Sequence, residues 1–241
     1  MWSYVRRGVC RSKNDYMKII AMHQPDFLPY SGFFYKYFKA DVFDLAIYDQ
    51  FSPSGYHRRV KMGGEWVTMP CKGLNKLPRE TRICDIEVYR ERAIAMLIGA
   101  IDRTYRNSPH YRKVRRSLVA WISDCTKNET DETMKLYLFN EMLLHWVVDY
   151  LGEHDHHKFR KTSPPTLPKA EGIVEIMQKE YPEYSVYLSG RGGQSYTTTE
   201  FSDAGLEVIY SNHEAKYSDS VLTVLMEEDD PLSVILREKI V

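Results

Sequence analysis

The chain has 241 residues, 43% hydrophobic and 27% charged, with 33 lysines and arginines balanced by 33 aspartates and glutamates. A chain of this length buries roughly 70 to 75% of its unfolded surface and needs no disulfide or metal to fold. Zero formal charge removes the general attraction behind histone-like or polybasic roles, so nucleic acid is a partner only through a local patch. The four cysteines, Cys10, Cys71, Cys84 and Cys125, form no CxxC pair and read as reduced thiols of a cytoplasmic protein. No apolar run reaches the roughly 18 residues of a membrane span.

Residues 1–16 lack periodicity and an apolar signal core, so they read either as a disordered N-terminal extension, with Met17 the natural start of a domain over 17–241, or as a short arm that packs through Trp2 and Tyr4. Met17 to Met22 is strand-like, and the HQPDFLPYSG segment after it has two prolines and a glycine that forbid regular structure. Phe33 to Ala40 reads as a short aromatic helix, and Val42 to Tyr48 as a second strand. Two strands joined by one helix are most simply parallel, and such units place ligands at the carboxyl ends of their strands. Here those ends are His23-Gln24-Pro25 and Asp49-Gln50-Phe51.

Residues 51–72 read as a hairpin or loop excursion, with Gly63-Gly64 ahead of a strand from Trp66 to Met69. Helical periodicity then takes over: Ile94, Leu97, Ile98, Ile101 and Tyr105 share a face, then Val114, Leu118 and Ile122, then an amphipathic stretch from Asp131 to Leu151. A proline block from Ser163 to Pro168 ends this helical region of about 90–160. A helix carrying Ile173, Ile176 and Met177, a strand at Val186–Leu188, a glycine-rich turn and a strand at Val208–Tyr210 follow. The pattern predicts an α/β fold, a Rossmann-like parallel sheet core with a helical insertion.

Several residues carry chemistry at these positions. His23 and Gln24, locked by Pro25, stand at the exit of the first strand, where a histidine either acts as acid, base or phosphate donor near neutral pH or hydrogen-bonds the loop and shapes it. Asp49, with Gln50 beside it, closes the second strand and is expected within reach of His23, either as its orienter or as a solvated turn former. Tyr56 to Lys61 packs His57 and three cations, including Arg58 and Arg59, into six residues, which reads as an anion clamp or as a solvated charged hairpin. Lys36 on the first helix adds to the same positive site. Ser189, Gly190, Gly192, Gly193 and Tyr196 belong to a turn that either cradles an anion with backbone N–H groups or is simply tight. His154 to His157 are neighbours on a loop with no partner cluster, so no metal site is expected, and no cofactor motif is present.

The run MKIIAMHQPDFLPYSGFFYKYFKADVF, followed by DQFSPSGYHRRVK and WVTMPCKG, resembles the bacterial and phage WbqC-like family. The resemblance rests on His23, Gln24, Pro25, Leu28, Pro29, Gly32, Lys36, Ala40, Asp41, Gln50, Phe51, Arg59, Trp66, Thr68 and Pro70, and continues through Tyr187 to Gly190, Gly193, Tyr196 and Tyr217. Arg58 and Val60 stand where the family tends to have asparagine. The resemblance implies an enzyme tied to surface-polysaccharide or related sugar biosynthesis without naming its reaction; the leading reading of the residues is a group transferase acting on an activated sugar, nucleotide or acyl donor, hence on a phosphate- or carboxylate-bearing small molecule. Two alternatives stay open: a phage enzyme tailoring a modified DNA base, and a non-catalytic module that binds a glycan precursor or partner. The opening also resembles HUP-type nucleotidyltransferases, but the second histidine of their His-x-Gly-His element is missing near Gly32, so that analogy stops at the fold.

Overall fold

A computed structural model describes residues 17–154, 156–195 and 199–239. The elements run β1 (Ile19–His23), α1 (Ser31–Lys39), β2 (Val42–Leu45), β3 (Arg59–Met62), β4 (Glu65–Thr68), β5 (Glu87–Tyr89), α2 (Arg90–Tyr105), α3 (Tyr111–Thr126), β6 (Thr133–Lys135) and α4 (Leu136–Tyr150). They continue with β7 (Phe159–Arg160), α5 (Lys169–Glu180), β8 (Val186–Ser189), a 3-10 turn (Arg191–Ser195), α6 (Glu200–Asp203), β9 (Glu207–Tyr210), α7 (Val221–Glu227) and α8 (Pro231–Ile235). Five strands form one all-parallel sheet in the order β7-β2-β1-β8-β9. The chain builds outward from β1 through β2 to β7, then crosses back to β8 and β9. The change of direction puts the crevice of an open parallel sheet beside the carboxyl ends of β1 and β8.

Alternation along the strands sorts the two faces. Ala21, Phe43 and Leu45 face the larger core, which α1 to α4, α7 and α8 cover with Phe33, Phe34, Leu97, Leu118, Phe139, Trp146 and Leu225. Ile20, Met22 and Val42 face the smaller core, closed by Ala170, Val174 and Met177 of α5 and by Phe201. Asp44 points into this second side, where burial pushes its carboxyl up to about 6 and Tyr181 donates to it at 2.7 Å. β1 is therefore hydrophobic on both faces, as a central parallel strand must be.

The helices at 90–105 and 111–126 and the Gly63-Gly64 hairpin match the periodicity, with φ of +58° and +84° supplying the left-handed turn that two-residue hairpins favour. Other boundaries differ. β2 ends at Leu45 instead of Tyr48, because Ile47 N–H turns back onto the Leu45 carbonyl at 2.8 Å. The third helix starts at Leu136 instead of Asp131, because Thr133–Lys135 pairs antiparallel with Glu87–Tyr89. The short edge strand β7 lies just before the proline block. Cys71, Cys84 and Cys125 are free thiols, and Cys10 lies outside the described residues. Among the described residues, no helix is long and apolar enough to cross a membrane.

Candidate functional site

The loop from Gln24 to Tyr30 is held from three sides before any functional group is considered. Asn140 of α4 is wholly buried, and its amide donates to the carbonyls of Pro25 (2.8 Å) and His57 (2.7 Å). Ser220, which caps α7, donates to the Leu28 carbonyl at 2.8 Å, and Val221 N–H reaches the Pro29 carbonyl at 2.9 Å. Phe27 N–H donates to the Tyr56 carbonyl at 2.9 Å. Leu28 sits at φ +43°, a strained conformation for a branched side chain that these bonds impose.

Under this loop lies a cluster of ionisable groups. His23 ends β1 on the α1 face, its ring edge-on to Phe33 at 5.1 Å, with Nδ1 3.1 Å from the Gln24 carbonyl and 3.5 Å from Asp26 Oδ2. An Nδ1 that donates to this carbonyl leaves the Nε2 lone pair as the open acceptor. Burial, then the nearby Lys36 charge, lowers the imidazole to about 3. The side chain still keeps 31% of its surface, so solvent reaches a ring that is neutral at physiological pH. Burial raises the Asp26 carboxyl to about 7 against the pull of Lys36, and its buried Oδ1 has no hydrogen-bond partner among the described residues.

Lys36, one and a third turns into α1, is 5% exposed. Burial lowers its ammonium to about 8, and Asp26 is the charge that pulls it back up. It makes no ion pair or side-chain hydrogen bond among the described residues, and its nearest ring contact is Phe43, 5.8 Å from Nζ to centroid. A buried ammonium without an ion pair costs several kcal/mol of desolvation in principle. Nothing in the packing of α1 calls for a charge there, since Phe33, one turn before it, and Tyr37, next to it, are buried apolar side chains.

The expected His23–Asp49 pair does not form. Asp49 lies in the turn beyond β2 and accepts from Gln24 Nε2 at 2.9 Å, while the carboxylate beside His23 is Asp26. Gln24 Oε1 in turn faces His57 Nδ1 at 3.2 Å. The His57 ring, 1% exposed, is wedged against the Ser52 backbone by Nε2, 2.9 Å from the carbonyl and 3.2 Å from the amide. Gln50 donates to the Arg79 carbonyl at 2.7 Å and lines a hollow of about 460 Å³ with Phe51, Pro53, Leu74 and Leu77. A second hollow of about 440 Å³, over α5, is lined by none of these groups.

The basic element is more structural than its composition suggests. Arg58 donates to the carbonyls of Met69 (3.0 Å) and Pro53 (2.8 Å), and Arg59 Nε to the Ser54 carbonyl (2.8 Å), with its guanidinium 4.2 Å over Trp66. Both arginines therefore pin the 52–54 loop. In the glycine turn, Ser189 is buried and donates to the Gly190 carbonyl at 3.2 Å, and Gly193 N–H donates to the same carbonyl at 2.9 Å. A Cβ at Gly190 or Gly192 would meet nothing within 4 Å and neither has a positive φ, so packing does not explain glycine there. Tyr196 lies outside the described residues. His154 pairs with Asp149 at 2.8 Å.

Sequence reasoning passed over Asp26 and Asn140, and it read His57 as part of a surface clamp. Asp26 stood beside His-Gln-Pro and was the carboxylate nearest in sequence to His23. Asn140 gave no sign, since a single polar residue on an apolar helix reads as solvent-facing.

A protein-family model, the WbqC-like protein family, matches residues 24–221. Comparison with curated proteins and with solved structures found no match.

Proposed function

The chain belongs to the WbqC-like protein family, and from that premise we propose that it is a group transferase whose site is the His23–Asp26–Lys36 cluster at the carboxyl end of β1. The donor is an activated sugar, nucleotide or acyl compound whose leaving group is an anion, in surface-polysaccharide or related sugar biosynthesis. The observation that carries this reading is Lys36: a buried cation without an ion pair, beside a carboxylate with an orphaned oxygen, is a poor structural element and a good receptor for a developing negative charge. The neutral His23, with Nε2 open, takes a proton from the attacking hydroxyl or amine of the acceptor as the donor bond breaks. The leaving anion then rests against Lys36, and the imidazolium, whose charge burial and Lys36 disfavour, returns the proton from Nε2 to solvent.

Asp49 acts at one remove, holding the Gln24 amide that closes the loop onto His57. The strand order, with its crevice between β1 and β8, supports a Rossmann-like reading in which the Ser189–Gly193 turn forms the other wall. The helical region of about 90–160 covers the α1 side.

Melting curves with inorganic pyrophosphate, nucleoside diphosphate sugars and coenzyme A esters test this. An anion at a hundred times its dissociation constant adds about 2.7 kcal/mol, an upward shift of roughly 5 to 10 °C for a chain of this size. The shift should persist in His23→Ala, which keeps the anion site, and vanish in Lys36→Met. A flat panel, or a shift that survives Lys36→Met, contradicts the assignment.

A further inference from the structure

Three large aromatic side chains are exposed among the described residues, Tyr30 (45%), Tyr56 (62%) and Trp66 (42%). Trp66 stands on the outer face of the β3–β4 hairpin opposite Lys61, whose Nζ is 5.5 Å from the indole centroid, and Val60 and Met62 fill the inner face. Tyr56 meets Trp66 with centroids 6.0 Å apart. The Tyr56 carbonyl accepts from the N–H of Phe27, one residue past Asp26, at 2.9 Å. The Tyr56–Trp66 pair is thus tied through Tyr56 to the loop that carries Asp26.

An exposed tryptophan and tyrosine flanked by cations offer two things together: flat faces for a ring, and charge for what the ring carries. Arg59 is tied by Nε to Ser54 and laid flat on the indole, and its remaining N–H groups make no hydrogen bond among the described residues. A guanidinium held in this way loses little freedom on meeting a phosphate. We infer that the outer face of the β3–β4 hairpin, with Tyr56, is the base-binding subsite for a nucleoside diphosphate-type donor, whose base lies against Tyr56 and Trp66 and whose phosphates pass Arg59 toward Lys36. This rests on the transferase reading and names the donor class within it.

A free nucleotide fits better than a nucleic acid strand. A strand needs a continued row of cations, whereas the tip of this hairpin carries Glu65 and is bonded through Gly64 N–H to Asp219 at 2.9 Å. The chain as a whole has no net charge to add.

Titration calorimetry of the full chain with UDP, ADP, dTDP, inorganic pyrophosphate and a short single-stranded oligothymidine tests the subsite. At least one nucleoside diphosphate should bind more tightly than pyrophosphate. Trp66→Ala and Tyr56→Ala should each weaken that nucleotide about tenfold or more, leave pyrophosphate unchanged and leave the melting point near that of the wild type, and Trp66→Phe should recover most of the loss. Nucleotide binding no tighter than that of pyrophosphate, or indifferent to Trp66, overturns the subsite, as does Trp66-dependent binding of the oligonucleotide in preference to every free nucleotide. Pyrophosphate binding that depends on Lys36 without any gain from a base removes the subsite and keeps the transferase reading. No anion binding at all removes both.

Discussion

Lys36→Met should make the protein more stable. Burial brings the Lys36 ammonium from 10.5 down to about 8, and a depression of that size corresponds to about 3 kcal/mol spent on keeping the charge in the folded state at neutral pH. Methionine has nearly the same shape without the charge. Its loss also leaves Asp26 without an attractive charge, but that carboxyl then stays protonated and adds little. The net gain is about 2 kcal/mol, or roughly 4 to 8 °C in melting point. The sign follows from the direction of the shift. Below pH 8 both folded and unfolded chains hold the proton, and the folded one bears the full cost. Between pH 8 and 10.5 the folded chain has released it while the unfolded one still binds it, so the gap between variant and wild type narrows and closes. A Lys36→Met protein that melts lower than the wild type at pH 7 would show that the ammonium holds the fold together, and the functional reading would lose its main support.

Asn140 should behave in the opposite way. It is as buried as Lys36, but both hydrogens of its amide are used, one on Pro25 and one on His57, and these two carbonyls belong to the two loops that frame the cluster. Asn140→Leu keeps the branching at Cγ and strands two buried acceptors, each costing about 1 to 3 kcal/mol. The expected loss is about 3 to 5 kcal/mol, a fall of roughly 6 to 20 °C in melting point. Asn140→Asp should be worse, since a carboxylate offers no donor and faces two carbonyl oxygens. Hydrogen exchange should show the 24–30 and 52–58 loops losing protection together, while α5 and β9 keep theirs. A leucine variant within about 1 kcal/mol of the wild type would mean that these loops are held by other contacts. Two buried polar residues at similar depth thus separate by experiment into one that serves the fold and one that the fold tolerates.

The parts of the fold that repeat locally were legible. Periods of 3.6 over α2 and α3, and the Gly63-Gly64 turn between alternating residues, are short-range signals that tertiary context did not override. The β5–β6 ribbon was not, because Glu87–Tyr89 and Thr133–Lys135 are three residues each and their pairing joins segments more than 40 residues apart in the chain. The site divides along the same line. His23, Gln24 and Lys36 were readable as a strand exit and the helix that follows it. Which carboxylate meets His23 depended on where β2 ends: the turn at Ile47 carries Asp49 to the Gln24 amide, and the proline-locked loop folds Asp26 back under the histidine. The arginines looked free because their partners are backbone carbonyls, which no side-chain pattern announces.

The most direct measurement is the titration of Lys36 itself, followed through its 13Cε and 15Nζ resonances with and without inorganic pyrophosphate. The free protein should show a lysine titrating near 8, absent from Lys36→Met, and pyrophosphate should carry that midpoint upward toward or beyond 10 as the anion pairs with the ammonium. A Lys36 that titrates near 10.5 in the free protein, or a midpoint near 8 that pyrophosphate and nucleoside diphosphates leave unmoved, would contradict the assignment of this cluster as an anion-receiving site.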